Sequence, residues 1–250
     1  MKNLSVILLI LSTFALFVPA GALHPETERP ADERIKLHSD GWEIIGDLRI
    51  PESTKPVPAV ILLHKANGTR KEYVELSDQL ATRGIASLRI DLRGHGESTN
   101  KGKFGPPFGE DPKMLAILDG TENDVTEAFN YLKAHPRIDA GRIGFVGASY
   151  SGERMAKSAR KGKFGKAYVA LSPGDFSDES IEAIDPSKAS WFFIRSFGER
   201  PFFKDLYDAI REKSKTSQIL EIPGQDHATR ILDHHPEMSE MIAVWFEHKL

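Results

Sequence analysis

From Ala59 onward, short apolar runs alternate with longer stretches in which apolar residues recur every three to four positions. The runs Ala59–Leu63, Ile85–Asp91, Arg142–Val146, Ala167–Leu171, Trp191–Arg195 and Gln218–Ile222 are rich in Val, Ile, Leu, Ala and Phe, as strands are when both sheet faces are buried. Helical spacing marks Lys71–Arg83, Gly120–Ala134, Glu153–Lys161, Ser180–Ala189, Phe203–Lys213 and Pro236–Lys249. In the first of these, Tyr73, Val74, Leu76, Leu80 and Ala81 form one stripe, which reads as a core-facing surface. This alternation predicts a mostly parallel sheet covered by helices on both faces, an α/β architecture. Ahead of it, Ile35–Leu37 and Trp42–Ile50 flank Asp40-Gly41, a turn dipeptide that suits an antiparallel hairpin. The strands then number about eight.

The N-terminus has a different pattern. A lysine precedes the apolar run Leu4–Val18, and Pro19-Ala20-Gly21-Ala22 follows. The run is shorter than the roughly 20 residues of a spanning helix, and the ending fits a signal-peptidase site. The expectation is a signal peptide over residues 1–22, cleaved after Ala22, and a secreted or periplasmic protein with no stable membrane anchor. Leu23–Glu33 reads as a polar arm and residues 34–250 as one domain, since 250 residues suffice for one sizeable core.

Composition narrows the function classes. The net charge of −3 comes from interspersed acids and bases, so nothing points to nucleic acid, and the basic run Arg154–Lys166 reads as a solvated helix face. The partner expected is a small molecule. With no cysteine in the chain, disulfides, lipidated cysteine and thiolate metal sites are excluded. The histidines show no His-Glu-x-x-His spacing, and His234 and His235 are adjacent; no metal and no cofactor are expected.

Three local patterns carry chemistry. In "GFVGASYSG", Gly144–Gly152, Ser149 leaves an apolar strand between small residues. A nucleophile on a sharp strand-to-helix turn needs such neighbours, because the turn crowds the backbone. Gly147 and Ser151 take those places, with serine where the consensus has glycine. In "DLRGHGES", Asp91–Ser98, a glycine loop follows a strand, but the third glycine of a dinucleotide site is missing. In "LLHKANGTR", Leu62–Arg70, a strand ends at His64 and runs into a small-residue loop where backbone amides can converge on an oxyanion.

In this order the three patterns resemble the α/β-hydrolase fold superfamily, in particular its dienelactone-hydrolase-like esterases, over nearly the whole chain after residue 22. The resemblance implies a Ser-His-acid triad in the chain order nucleophile, acid, histidine. It places the histidine at His227 in "IPGQDHATRIL", with His234 and His235 as competitors. For the acid it points past the strand Trp191–Arg195, where Glu199 stands and no aspartate does; Asp175 after the preceding strand is the alternative, and Asp205 and Asp226 are less suitably placed. Where many members have His-Gly, this chain has His64-Lys65, so the oxyanion amides fall to Lys65 or Ala66 together with Tyr150. The implied activity is a serine hydrolase acting on carboxylic esters or related acyl compounds. A prolyl-oligopeptidase-like hydrolase of small peptides or amides, and a binding protein on a degenerate scaffold, are the alternatives. Thr99–Asp119, punctuated by Gly and Pro, is either a small lid or a plain loop.

Overall fold

The computed structural model describes residues 31–106, 111–162, 165–174, 176–182, 184, 189–202, 204–213 and 218–250. The expected signal segment and most of the arm lie outside them. Among the described residues, eight strands form one sheet: β1 (Glu33–Ser39), β2 (Trp42–Arg49), β3 (Val57–Leu63), β4 (Ala86–Ile90), β5 (Ile138–Ala148), β6 (Ala167–Leu171), β7 (Ser190–Ser196) and β8 (Gln218–Ile222). Their order is β1-β2-β4-β3-β5-β6-β7-β8. β1 and β2 pair antiparallel, with Ser39 opposite Trp42, and β2 pairs antiparallel with β4. All other neighbours are parallel. The hairpin closes through Asp40 (φ 50°) and Gly41 (φ 77°), both left-handed, as a tight turn matching the strand twist requires.

Strand alternation sends neighbouring side chains to opposite faces. On β3, Ala59, Ile61 and Leu63 enter one core cluster while Val60 and Leu62 enter the other. The helices are α1 (Val74–Ala81), α2 (Pro112–Ala134), α3 (Tyr150–Gly162), α4 (Asp178–Glu182), α5 (Lys204–Lys213), α6 (Arg230–His234) and α7 (Glu237–Lys249). Ile117, Val125 and Phe129 of α2 and Met155 of α3 cover the first face with Leu206 and Ile210 of α5. Leu76 and Leu80 of α1 and Ile242 and Phe246 of α7 cover the second. This is the α/β-hydrolase fold, with helices on both faces. None of the helices among the described residues is long and apolar enough to cross a membrane.

Three expectations change. The helix expected from Gly120 begins at Pro112. Asp111 caps it, accepting the Lys113 N–H at 2.8 Å, and proline occupies the first turn, where its missing N–H costs nothing. The last third of Thr99–Asp119 is therefore helix rather than plain loop; residues 107–110 lie outside the described part. Gly120 is a close approach and not a boundary, since a Cβ there would run into the Arg93 guanidinium. Of the helix expected over Ser180–Ala189, only residues 180–182 are helical among the described ones, as part of the short α4 that starts at Asp178, while Ile184 and Ala189 are not helical. Finally, β5 begins at Ile138 rather than at the expected Arg142, and α6 adds a helical turn ahead of α7.

The "DLRGHGES" segment is held by buried charge. Asp91 accepts the Arg70 N–H at 2.8 Å and the Glu97 N–H at 2.9 Å, and also pairs with the Arg70 guanidinium. Arg93 donates to the fully buried Asp124 through its N–H at 2.9 Å and its guanidinium at 2.7 and 3.0 Å. Replacing Asp124 with alanine leaves that buried cation with only the exposed Asp40 as counter-charge. The expected loss is about 3–5 kcal/mol, read as a lower urea midpoint at unchanged m value.

Candidate active site

Five loops meet at the carboxyl edge of the sheet. β5 ends at Ala148 and α3 starts at Tyr150, so the whole reversal is made at Ser149, whose φ is 55°. That conformation costs a non-glycine residue roughly 1–3 kcal/mol and persists only where its surroundings impose it. They do so here through three hydrogen bonds: the Ser149 N–H donates to the Leu171 carbonyl at 2.9 Å, and its carbonyl accepts the N–H groups of Gly152 and Gly174 at 3.0 and 3.1 Å. A Cβ on Gly147 would stand 2.9 Å from the Gly152 Cα and from the Ser151 carbonyl oxygen, so only glycine fits there.

Ser151, the departure from the usual glycine, is fully buried. Its hydroxyl accepts the Ala148 N–H at 2.8 Å and lies 2.9 Å from the carbonyls of Leu63 and Ala148. The elbow is thus tied to the end of β3 by a side chain that glycine would lack.

His227 follows β8. Its Nε2 is 3.0 Å from the Ser149 Oγ and its Nδ1 is 2.6 Å from Glu199 Oε1. A carboxylate only accepts, so the ring proton sits on Nδ1 and Nε2 is left to accept the serine hydroxyl. Glu199 ends a single helical turn, Phe197–Glu199, directly after β7. Its second oxygen accepts the Ser172 hydroxyl at 2.7 Å and the Ser196 N–H at 3.0 Å. Burial pushes its pKa up, but the bonds from His227, Ser172 and Ser196 outweigh burial and hold it below the ordinary glutamate value. The turn is fastened to the histidine loop by the Gly198 N–H, which donates to the Gly224 carbonyl at 2.9 Å.

The structure therefore brings Ser149, His227 and Glu199 into one hydrogen-bonded row. The other acids are elsewhere: Asp226 accepts from His234 at 2.7 Å, and Asp205 is exposed on α5. Asp175 lies outside the described residues. His234 and His235 both face Asp226, at 2.7 and 3.9 Å, and not Ser149. Among the described residues no group of three or more His, Cys, Asp or Glu could hold a metal ion.

His64 is buried and structural. Its Nδ1–H donates to the Lys65 carbonyl at 2.7 Å while its Nε2 accepts the Leu92 N–H at 3.0 Å. Burial lowers its pKa to about 3, so it bridges the loops after β3 and β4 as a neutral ring. The Lys65 carbonyl also accepts the Gly68 N–H at 2.9 Å. In a trans peptide the next N–H points the opposite way, which turns the Ala66 amide away from these partners. The N–H groups of Lys65, Ala66 and Tyr150 have no acceptor among the described residues. The Lys65 side chain, meanwhile, pairs with Glu72 and donates to Thr229 at 2.8 Å; Thr229 in turn donates to Glu72 at 2.9 Å. This knot joins the β3 loop to the histidine loop.

Sequence reasoning missed Ser172, Ser196, Glu72 and Thr229. Serine and threonine at strand ends are common loop residues, and only the Ser196 N–H to Glu199 contact had a local signal, the three-residue spacing of a capping box.

Comparison with known proteins agrees with this architecture. The serine aminopeptidase family S33 matches residues 54–111. The 2,6-dihydropseudooxynicotine hydrolase of Paenarthrobacter nicotinovorans is 28% identical over 167 residues, which are 66% of this chain and 41% of that protein; the chain thus matches under half of its length. Among solved structures, dienelactone hydrolase from Anabaena variabilis superposes with a TM-score of 0.67 at 18% identity, covering 89% of this chain and 99% of that one. Est1E from Butyrivibrio proteoclasticus, solved with ferulic acid bound, gives 0.68 at 19% identity over 86% and 98%.

Replacing Ser151 with alanine leaves the Ala148 N–H without its acceptor. Stability is expected to fall by about 1–3 kcal/mol, measured by urea denaturation of the purified variant.

Proposed function

We propose that this chain, an α/β-hydrolase-fold protein, is a serine hydrolase cleaving carboxylic esters or related acyl compounds through an acyl-enzyme. The observation that carries the reading is the continuous row from Glu199 Oε1 through His227 to Ser149 Oγ, at 2.6 and 3.0 Å. The Ser149 hydroxyl attacks the acyl carbonyl while its proton passes to His227 Nε2. Glu199 holds the ring's tautomer and stabilises the imidazolium. The Tyr150 N–H, first in α3, and the Ala66 N–H, turned outward by the bonds on the Lys65 carbonyl, take the developing oxyanion. His227 then gives its proton to the departing alcohol, and water, activated by the same ring, releases the acid.

The structural likeness to a dienelactone hydrolase and to a ferulic-acid-bound Est1E supports an ester or small acyl substrate. The match of residues 54–111 to serine aminopeptidases favours a second reading, hydrolysis of small peptides or amides. A full hydrogen-bonded row with a strained serine speaks against a scaffold that only binds, because nothing in binding alone requires it.

Replacing Ser149 with alanine is expected to lower turnover by about six orders of magnitude and to abolish covalent labelling by a fluorophosphonate. Retained esterase activity would overturn the reading. p-Nitrophenyl esters set against aminoacyl anilides decide between ester and amide, and faster turnover of the esters is expected. We also propose that the protein is exported and cleaved after Ala22, on the strength of the Leu4–Val18 run and the small residues that follow. Edman sequencing of mature protein recovered outside the cytoplasm should then begin at Leu23; an intact Met1 would refute it.

A further inference from the structure

Ser172 stands one residue beyond β6, and its hydroxyl is bonded to Glu199 and to the Ala228 N–H rather than to Ser149. It is nearly fully buried, at 2% exposure, and its φ is 42°. Its position is set by the sheet, because its N–H donates to the Ile194 carbonyl of β7 at 2.7 Å. Its hydroxyl accepts the Ala228 N–H at 2.9 Å and lies 2.7 Å from Glu199 Oε2. A hydroxyl has one proton. With the amide filling an acceptor site and the carboxylate unable to donate, that proton goes to Glu199.

We infer that Ser172 is a positioning residue that aligns the acid and the histidine of the site together, by bonding the Glu199 carboxylate and the backbone amide next to His227 at once. The inference rests on the serine-hydrolase reading above. Two features explain why such a brace is needed. Glutamate carries one more rotatable bond than aspartate, so its carboxylate has more orientations to exclude. Ser172 and the Ser196 N–H together hold Oε2 and leave Oε1 for His227. In addition, Ala228 has a φ of 58° without being glycine, a conformation its surroundings must impose. The bond from its N–H to Ser172 fixes the peptide that joins it to His227 and so the direction in which the imidazole leaves the backbone.

The test compares Ser172→Ala, Ser172→Gly and Glu199→Gln with the Ser172→Ala/Glu199→Gln pair, in the whole protein. Glycine suits the positive φ, so Ser172→Gly removes the hydroxyl with the least backbone strain. The rate of fluorophosphonate labelling at Ser149 and the kcat and KM for p-nitrophenyl acetate are measured on the folded fraction. Both single Ser172 variants are expected to label about tenfold to a hundredfold more slowly, the worth of a hydrogen bond to a charged group, with kcat lowered and KM unchanged. In the Glu199→Gln background the Ser172→Ala change is expected to add less than threefold, because the two residues act through one path. Labelling of the variants at the unsubstituted rate, or full additivity with Glu199→Gln, overturns the role of Ser172 while leaving the reading of the site intact. Failure of the unsubstituted protein to label at all overturns that reading and this inference with it.

Discussion

A parallel ladder delivers every strand's carboxyl end to the same edge of the sheet, and that constraint organises the rest of the molecule. β3, β5, β6, β7 and β8 are consecutive neighbours, all parallel. The loops that follow them therefore leave from neighbouring points, roughly one 5 Å strand separation apart, along one edge. Ala66, Ser149, Ser172, Glu199 and His227 stand in those loops, which bring Ser149, His227 and Glu199 to hydrogen-bond distance although more than 160 residues separate Ala66 from His227. A site of this kind is precise because it is anchored on strand ends whose hydrogen bonds are buried.

The price of the arrangement is local strain, and it is concentrated where the backbone must leave the sheet abruptly. Ser149, Ser172 and Ala228 all hold positive φ without being glycine. Each is pinned by hydrogen bonds: Ser149 by Leu171 of β6, Gly152 of α3 and Gly174, and Ser172 by Ile194 of β7. Ala228 is pinned by Ser172. Ser172 and Ala228 are bonded to each other, and Ser149 is bonded to Leu171 and Gly174 on either side of Ser172. Lys65, Glu72 and Thr229 add a second brace, in which the Thr229 hydroxyl bonds both members of the Lys65–Glu72 ion pair and so couples the β3 loop to the histidine loop.

Much of this was legible in the residues. Continuous apolar runs mark buried strands because both faces of a parallel strand are covered, and those runs reappear in the sheet, Ala167–Leu171 and Gln218–Ile222 with the same ends. Boundaries were less legible where glycine was ambiguous. Gly120 looked like a helix start, whereas its lack of a side chain serves the passage of Arg93; the start signal was the Asp111-Pro112 pair eight residues earlier. Ser151 looked like a weakened motif position, and in the fold it supplies a buried bond to β3.

The sequence by itself determined which residues could be strand, helix or turn, and which side chains had the chemistry for a nucleophile, a base and an acid. These properties are local: they depend on periodicity, on small residues at a crowded turn and on functional groups. Only the tertiary structure decided which acid faces His227, that Asp226 is engaged by His234 instead, and that Ser172 and Thr229 join the site. Those choices depend on directions in space between loops far apart in the chain, and direction is set by the register and twist of the sheet rather than by any spacing along it.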